Sequence, residues 1–513
     1  MHVTQSLHRL LAQQPSAPFT VTDRATRTVA EVVDRIARVA GGLRELGVVP
    51  GDRVGILAAN SDVYLEYLLA VPWAGAVVNP VNIRWSAAEA AFSLDDSGTR
   101  VLLVDDTYAP LVPELSRRST ALTTVLSCGA AGFNGADAAY EDLAIGGAAV
   151  DDARRRGDDA YGIFYTGGTT GTPKGVVLSH RNMLVSALGT LACPGLLTDG
   201  GRLLHTAPLF HLAGIAIWLC GMLRGAEHHP LPGFDPAVVL AVVEDRGITD
   251  AMLVPSMLQM VTDHPDAATR DLSSVRSVVY GASPMPEALL NRVRALLPGA
   301  SFTQSYGMTE LSPVATLLRD ADHEHPVRRR SAGRTAVHSE VRVVDGDGLE
   351  VPRGTVGEIV VAGEHVMTGY WNRPEETAAA LREGWMHTGD GGYLDDDGYL
   401  YVVDRIKDMI ITGGENVYSA EVENALMRHP AVASCAVIGL PDDRYGERVH
   451  AVVVRHPGAE VDAEQLRAAA KEHIAGYKAP RSVEFVDALP LSPAGKVLKR
   501  ELRQRHAEGA PVA

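Results

Sequence analysis

The sequence predicts an α/β protein: a large N-terminal domain of stacked, mostly parallel sheets with helices, a β-rich subdomain, and a small α+β C-terminal domain. Three observations carry that expectation. Apolar runs of strand length alternate with amphipathic stretches, the pattern of an open, largely parallel sheet. The runs at 252–254, 275–280 and 301–304 each open into a small-residue loop, as strands do at the carboxyl edge where parallel sheets bind ligands. Beyond Gly333 short apolar runs lie between Asp/Gly turns, and beyond residue 404 helix and strand patterns fill a unit of about a hundred residues.

Taken in order, Val29, Val32, Val33, Ile36, Val39, Leu43 and Leu46 repeat at helical steps and predict an amphipathic helix over 26–46. Pro50-Gly51-Asp52 is a turn and 54–57 a buried strand. A helix over 64–71 follows, with Pro72 as its end or a kink. Strands are expected at 76–79 and 100–104, and the Gly-, Ala- and Asp-rich stretch 129–160 reads as a loose connection. Asp235-Pro236 starts a helix with an acceptor at N-cap and proline at N1. The three loops after strands are Pro255-Ser256, Gly281-Ala282-Ser283-Pro284, and Ser305-Tyr306-Gly307-Met308-Thr309-Glu310.

The β-rich part, about 333–403, has strands at 341–344, 357–361, 393–394 and 399–403. Asp395-Asp396-Asp397-Gly398 is a hairpin turn, since a calcium loop would need an acid where Tyr393 stands. The charged break at 404–408 divides an N-terminal domain, 1–404, from a C-terminal one, 405–513. The latter should hold helices at 419–427 and 463–474 and strands at 434–438, 451–454 and 483–486.

The 513 residues exceed one core, and 46% hydrophobic content indicates a folded chain. With 47 basic against 63 acidic residues, the net charge of −16 disfavours a nucleic-acid or membrane-surface binder. Against that charge, Arg328-Arg329-Arg330 reads as a solvated loop. Four scattered cysteines, no signal peptide in MHVTQSLHRLL and no apolar run of about 18 residues predict a cytoplasmic protein without a transmembrane segment. A homodimer is compatible with this composition.

Chemistry centres on YTGGTTGTPKG, Tyr165 to Gly175. Four glycines let the backbone approach a ligand closely. Its N–H groups, four threonine hydroxyls and Lys174 suit phosphate oxygens. It is no Walker A loop, because Lys174 lies between Pro173 and Gly175.

Five further motifs stand in order: Tyr306-Gly307-Met308-Thr309-Glu310, Thr388-Gly389-Asp390, Asp404-Arg405-Ile406-Lys407-Asp408, Gly413-Gly414-Glu415-Asn416-Val417 and Pro493-Ala494-Gly495-Lys496. With the glycine loop, these make nearly the whole chain resemble the adenylate-forming superfamily: acyl- and aryl-CoA synthetases, adenylation domains and luciferase. One departure is Gly167, where serine is common. The resemblance implies that ATP activates a carboxylic acid to acyl-AMP, and that the C-terminal domain, mobile about a hinge at Lys407, then brings in CoA. It implies that Thr166, Gly167, Gly168, Thr169, Thr170, Gly171 and Lys174 grip the phosphates, and that Thr166 and Glu310 hold Mg²⁺ beside Thr309. Tyr306 and Gly307 would meet adenine beside Gly281, Ala282 and Ser283, with Asp390 and Arg405 on the ribose. Lys496 would be the catalytic lysine, acting with Glu310, Thr309 and His211. Gly413 and Gly414 would line a pantetheine path, and Lys478 would orient CoA or be solvated.

The segment Pro208 to Gly214 matches the family's acyl site, with His211 at the entrance or packed in the core, and Ala213, Gly214, Ile217 and Trp218 lining it. No cation there offers a partner to a second carboxylate, so dicarboxylates are disfavoured. A medium- or long-chain fatty acid is the expected substrate and an aryl acid the alternative. An amine or a carrier protein could replace CoA as acceptor.

Overall fold

The computed structural model describes residues 1–166, 173–283, 285–405, 408–412, 415–442, 445–491 and 497–507, except the side chains of Arg405, Glu415, Asn416 and Ala507. Two compact units emerge, residues 1–341 with 361–387, and residues 342–360 with 388–513.

The first unit holds two large sheets. One runs in the order Arg334–Thr335, Thr316–Leu318, Ser301–Tyr306, Ser277–Gly281, Asp250–Met252, Arg202–His205, Glu227–Pro230, Pro18–Val21, Thr26–Thr28. Its six strands from Ser301–Tyr306 to Pro18–Val21 are parallel, and antiparallel strands close both edges. The other runs Gly369–Tyr370, Lys174–Ser179, Ala160–Thr166, Val77–Pro80, Arg53–Leu57, Val101–Val104, Thr124–Ser127, Ala138–Ala139. Here the parallel run begins at Ala160–Thr166, and the first two strands are antiparallel. Val77–Pro80 and Val101–Val104 are buried along their whole length, which explains the unbroken apolar sequence of the second, while Asn79 in the first is satisfied by donating to Ser97 Oγ and Thr99 Oγ1. The stacked, mostly parallel sheets expected from sequence are therefore present.

Local chemistry explains several boundaries. The first long helix spans Val29–Glu45, and residues 26–28 are a strand instead of its first turn. Thr28 closes the helix by a capping box with Glu31, which leaves the preceding residues free to extend. The helix Asp62–Ala74 carries Pro72 inside it and ends on left-handed Gly75. Residues 129–160 include the helix Tyr140–Gly146, whose Tyr140 is buried. Pro255 opens the helix Pro255–Asp263 instead of a loop, as proline at N1 permits. The helix Pro236–Arg246 starts as expected, with Asp235 accepting from Val238 N.

The unit division falls inside the strands Glu340–Val344, Gly357–Ala362 and Trp385–Leu394. In the second unit, Trp385–Leu394 pairs antiparallel with Leu400–Arg405. The turn between them is a hairpin turn, with Gly398 N donating to Asp395 O at 3.0 Å. A second sheet runs Glu415–Val417, Ile410–Thr412, Gly446–Arg455, Val432–Asp442, with Ser482–Phe485 parallel to Gly446–Arg455. Its strands alternate faces. Val437, Ala451 and Val453 pack with Val422 and Leu426 of the helix Ser419–Leu426 and Leu466 of Ala463–Lys471. Ala436, Ile438 and Val452 pack with Leu502 of Lys499–Ala507.

Among the described residues, no helix is long and apolar enough to cross a membrane. All four cysteines are free. In the arginine run, Arg329 and Arg330 pair with Glu287 at 3.2 and 3.4 Å.

Candidate active site

The strands Ala160–Thr166 and Lys174–Ser179 form an antiparallel hairpin that sets Tyr165 opposite Gly175 and Thr166 opposite Lys174. The loop it carries, with Gly167, Gly168, Thr169, Thr170 and Gly171, lies outside the described residues. The hairpin itself is held from both sides. Tyr165 OH donates to Asp96 Oδ2 at 2.7 Å, and Trp371 Nε1 donates to Asp96 O at 2.9 Å. Burial and the bond to Asp96 raise the Tyr165 phenol well above its ordinary range, so it stays a donor. A Cβ on Gly175 would stand 2.7 Å from Ile163 Cγ2, which excludes larger residues from the motif's last position.

Lys174 leaves this hairpin beside Tyr370, with Nζ 5.0 Å from the ring centroid. The same Tyr370 donates its hydroxyl to Glu310 Oε1 at 2.9 Å. Glu310 is 6% exposed and sits in the short turn Thr309–Leu311, directly beyond strand Ser301–Tyr306. Met367 N donates to Glu310 O at 2.8 Å, fixing its backbone too. Tyr370 thus joins the phosphate hairpin of one sheet to the buried acid of the other.

The neighbouring parallel strand ends level with this corner, because Gly281 pairs with Ser305. Gly281-Ala282-Ser283 and Tyr306-Gly307 therefore leave the sheet side by side at one carboxyl edge. A Cβ on Gly281 would lie 2.4 Å from Ser305 O, so the two chains approach as only glycine permits. Ala282 adopts φ +66, an uncommon conformation for a residue with a side chain.

Farther along that edge stands Arg202–His205, followed by the expected acyl segment. Asn60, 5% exposed, reaches across from the other sheet. Its Nδ2 donates to His205 O at 3.3 Å and Ala207 O at 3.0 Å, and its Oδ1 accepts from Leu209 N at 2.8 Å. His211 is the N-cap residue of helix Leu212–Arg224, its ring 4.3 Å from that of Phe210. A Cβ on Gly214 would meet Pro208 O at 2.8 Å, so the helix presses on the segment that precedes it. Ala213 and Ile217, four apart, share a helix face. Ile217 is 6% exposed and Trp218 fully buried.

In the second unit, Asp390 is buried, and strand register sets it opposite Arg405. Its N–H donates to Thr388 Oγ1 at 3.1 Å, and that hydroxyl donates to Ile359 O at 2.7 Å. Asp404 Oδ2 accepts from Ser419 N at 2.6 Å, capping helix Ser419–Leu426. Lys478 Nζ donates to both carboxylate oxygens of Glu421 at 2.8 Å, an ion pair in place of a solvated side chain. Lys407, Gly413, Gly414 and Lys496 lie outside the described residues.

Asn60, Asp96 and Tyr370 escaped the sequence reading. Each works through partners far away in the chain, and none stands in a pattern that marks it.

The model of the AMP-binding enzyme family matches residues 7–371, and that of the AMP-binding enzyme C-terminal domain matches residues 421–496. A feruloyl-CoA synthase from Amycolatopsis sp is 43% identical over 480 residues, covering 93% of this chain and 94% of that protein. A fatty acid–[acyl-carrier-protein] ligase from Streptomyces coeruleorubidus is 37% identical over 510 residues, covering 98% and 95%. Among solved structures, an amide bond synthetase from Marinactinospora thermotolerans matches with a TM-score of 0.87 at 32% identity, covering 98% of this chain and 99% of that one.

Proposed function

Because the chain belongs to the AMP-binding enzyme family, we propose that it is an acid–thiol ligase that makes an acyl-CoA from a hydrophobic monocarboxylic acid. The observation that carries this reading is the corner where Lys174, Tyr370 and Glu310 meet at the carboxyl edges of two sheets.

In the first step, a carboxylate oxygen attacks the α-phosphorus of ATP and the bond to pyrophosphate breaks, leaving acyl-AMP. Both reactants are anionic, so positioning and charge neutralisation supply the rate. The glycine loop and Lys174 hold the β- and γ-phosphates. Thr166 and buried Glu310 offer the oxygen ligands Mg²⁺ prefers, and the ion when bound neutralises phosphate charge there. Loops 281–283 and 306–307 receive adenine, and Asp390 with Arg405 receives the ribose. Lys496 brings positive charge to the α-phosphate. In the second step residues 405–513 turn about Lys407, and Gly413 and Gly414 admit the pantetheine arm. The CoA sulfur attacks the acyl carbon, and AMP leaves with the carbon–oxygen electron pair. Lys478 would reach CoA only by leaving Glu421.

A medium- or long-chain fatty acid is the first reading of the substrate, supported by the apolar face of Ala213 and Ile217. An aryl acid is the second, favoured by the 43% identity to a feruloyl-CoA synthase against 37% to a fatty acid ligase.

The purified protein with ATP, Mg²⁺ and CoA is incubated with fatty acids of graded length and with aryl acids including ferulate. AMP and pyrophosphate should appear with one class, together with its acyl-CoA. Release of ADP, or acyl transfer to an amine or a carrier protein but not to CoA, would overturn the proposal.

A further inference from the structure

The C-terminal sheet carries three side chains that the proposed reaction leaves unused. His450 lies on Gly446–Arg455, Glu484 on its parallel neighbour Ser482–Phe485, and His506 on the helix Lys499–Ala507. The register pairs His450 with Ser482 and Val452 with Glu484, so all four residues share one face of the sheet. The helix crosses that face with Leu502 in the core beside Val452, and His506, four positions on, projects from the same side.

One ligand atom of each residue lies within 4.8 Å of the others. His506 Nε2 is 2.9 Å and His450 Nε2 3.7 Å from Glu484 Oε2. The rings stand edge to face with centroids 4.4 Å apart. Among the described residues none of these three atoms has a hydrogen bond of proper direction, although His450 is only 6% exposed. Glu484 and His506 are 22% and 23% exposed, and three converging polar atoms without a directed hydrogen bond are costly unless a proton or a cation lies between them. The outer nitrogen of His450 is already engaged, Nδ1 lying 2.8 Å from Ser482 Oγ. That contact presents Nε2 inward, as outer partners of metal-bound histidines do.

We propose that His450, Glu484 and His506 bind a divalent transition ion that fastens the terminal helix to the sheet. Two imidazoles and one carboxylate are a zinc donor set with a fourth position left for water. Magnesium, which prefers oxygen ligands alone, does not suit it. The helix begins at Lys499, three positions beyond Lys496, so an ion here would fix the element that follows the proposed catalytic lysine.

The test uses full-length, tag-free protein stripped of metal and kept free of nucleotide. Zn²⁺ is titrated and bound metal counted after gel filtration, with thermal unfolding followed in parallel. One equivalent of zinc and a higher Tm are expected, with no comparable shift from Mg²⁺. His506→Ala should abolish both while leaving the metal-free Tm nearly unchanged, since this residue ends a helix and is partly exposed. Glu484→Gln should weaken zinc by at least about tenfold. Cobalt should give a tetrahedral absorption spectrum with the wild type and none with His506→Ala. Failure to bind a stoichiometric ion, or equal binding by the wild type and His506→Ala, would overturn the site.

Discussion

The carboxyl edges of the two large sheets are tied at two corners by different chemistry. At the acyl segment the tie is Asn60, a neutral amide with three bonds to main-chain atoms. At the phosphate hairpin it is the phenol of Tyr370 on the carboxylate of Glu310. The amide can only hold the backbone in place. The carboxylate can hold, and can also exchange a hydroxyl donor for a cation when charge arrives. In the proposed reaction, fixed geometry would serve the acid and adaptable charge the nucleotide.

The comparison breaks if the second corner is only structural. Glu310→Gln preserves shape and removes charge, and should lower kcat/KM for pyrophosphate release by about 100-fold or more, as losing one transition-state contact does. Its Tm should stay within a few degrees of wild type. A fall in Tm matching the fall in rate would make Glu310 a second Asn60.

Asn60→Ala should do the opposite. It strands Leu209 N–H and two carbonyls, and orphaned buried groups cost about 1–3 kcal/mol each. Urea unfolding should show that loss, and KM for the acid should rise more than KM for ATP. Tyr370→Phe keeps the ring beside Lys174 and removes only the donor. A fall of about tenfold in kcat with little change in stability would fit one weakened hydrogen bond.

Acid should sharpen the contrast further. His205, whose carbonyl Asn60 grips, has its imidazole pushed down to about 3 by burial, and His229 nearby to about 4. His205 Nε2 also lies 2.9 Å from His228 Nδ1, and burial lowers that ring as well. In the unfolded chain these rings titrate near 6.5. Below that pH the unfolded state binds more protons, so this contribution is complete above 6.5 and is lost as pH falls toward 4 and 3. The unfolding midpoint in urea should therefore drop between pH 7 and pH 5. A midpoint that rises over this range would contradict buried neutral imidazoles.

Sequence made the local parts of this molecule readable. Asp235 before Pro236 announced a helix by cap chemistry alone, and the turn at 395–398 needed only its own four residues. Glu310 stands out in the sequence because its motif is contiguous, and the structure buries it just beyond the end of strand Ser301–Tyr306. Tyr370 was not, since its role depends on pairing with Val176, 194 positions earlier (370 less 176). Asn60 likewise acts through backbone groups beyond residue 200, and no side-chain pattern encodes those. The strand Trp385–Leu394 is legible in sequence only at its end, 393–394, because the glycines at 389, 391 and 392 carry no strand signal and it is pairing with Leu400–Arg405 that holds Asp390 to Leu394 extended. Where a neighbour decides the conformation, propensity alone misleads.

The short strand Gly369–Tyr370 also has a consequence in time. It supplies the outermost edge of a sheet whose other strands are complete by Ser179. During synthesis, Lys174–Ser179 must wait for nearly two hundred further residues with that side unpaired, which is the kind of edge that invites wrong partners. The wait ends when Tyr370 docks, and the same event puts a phenol against Glu310 and an aromatic ring beside Lys174. Protection of the growing chain and assembly of the proposed nucleotide corner are then one step.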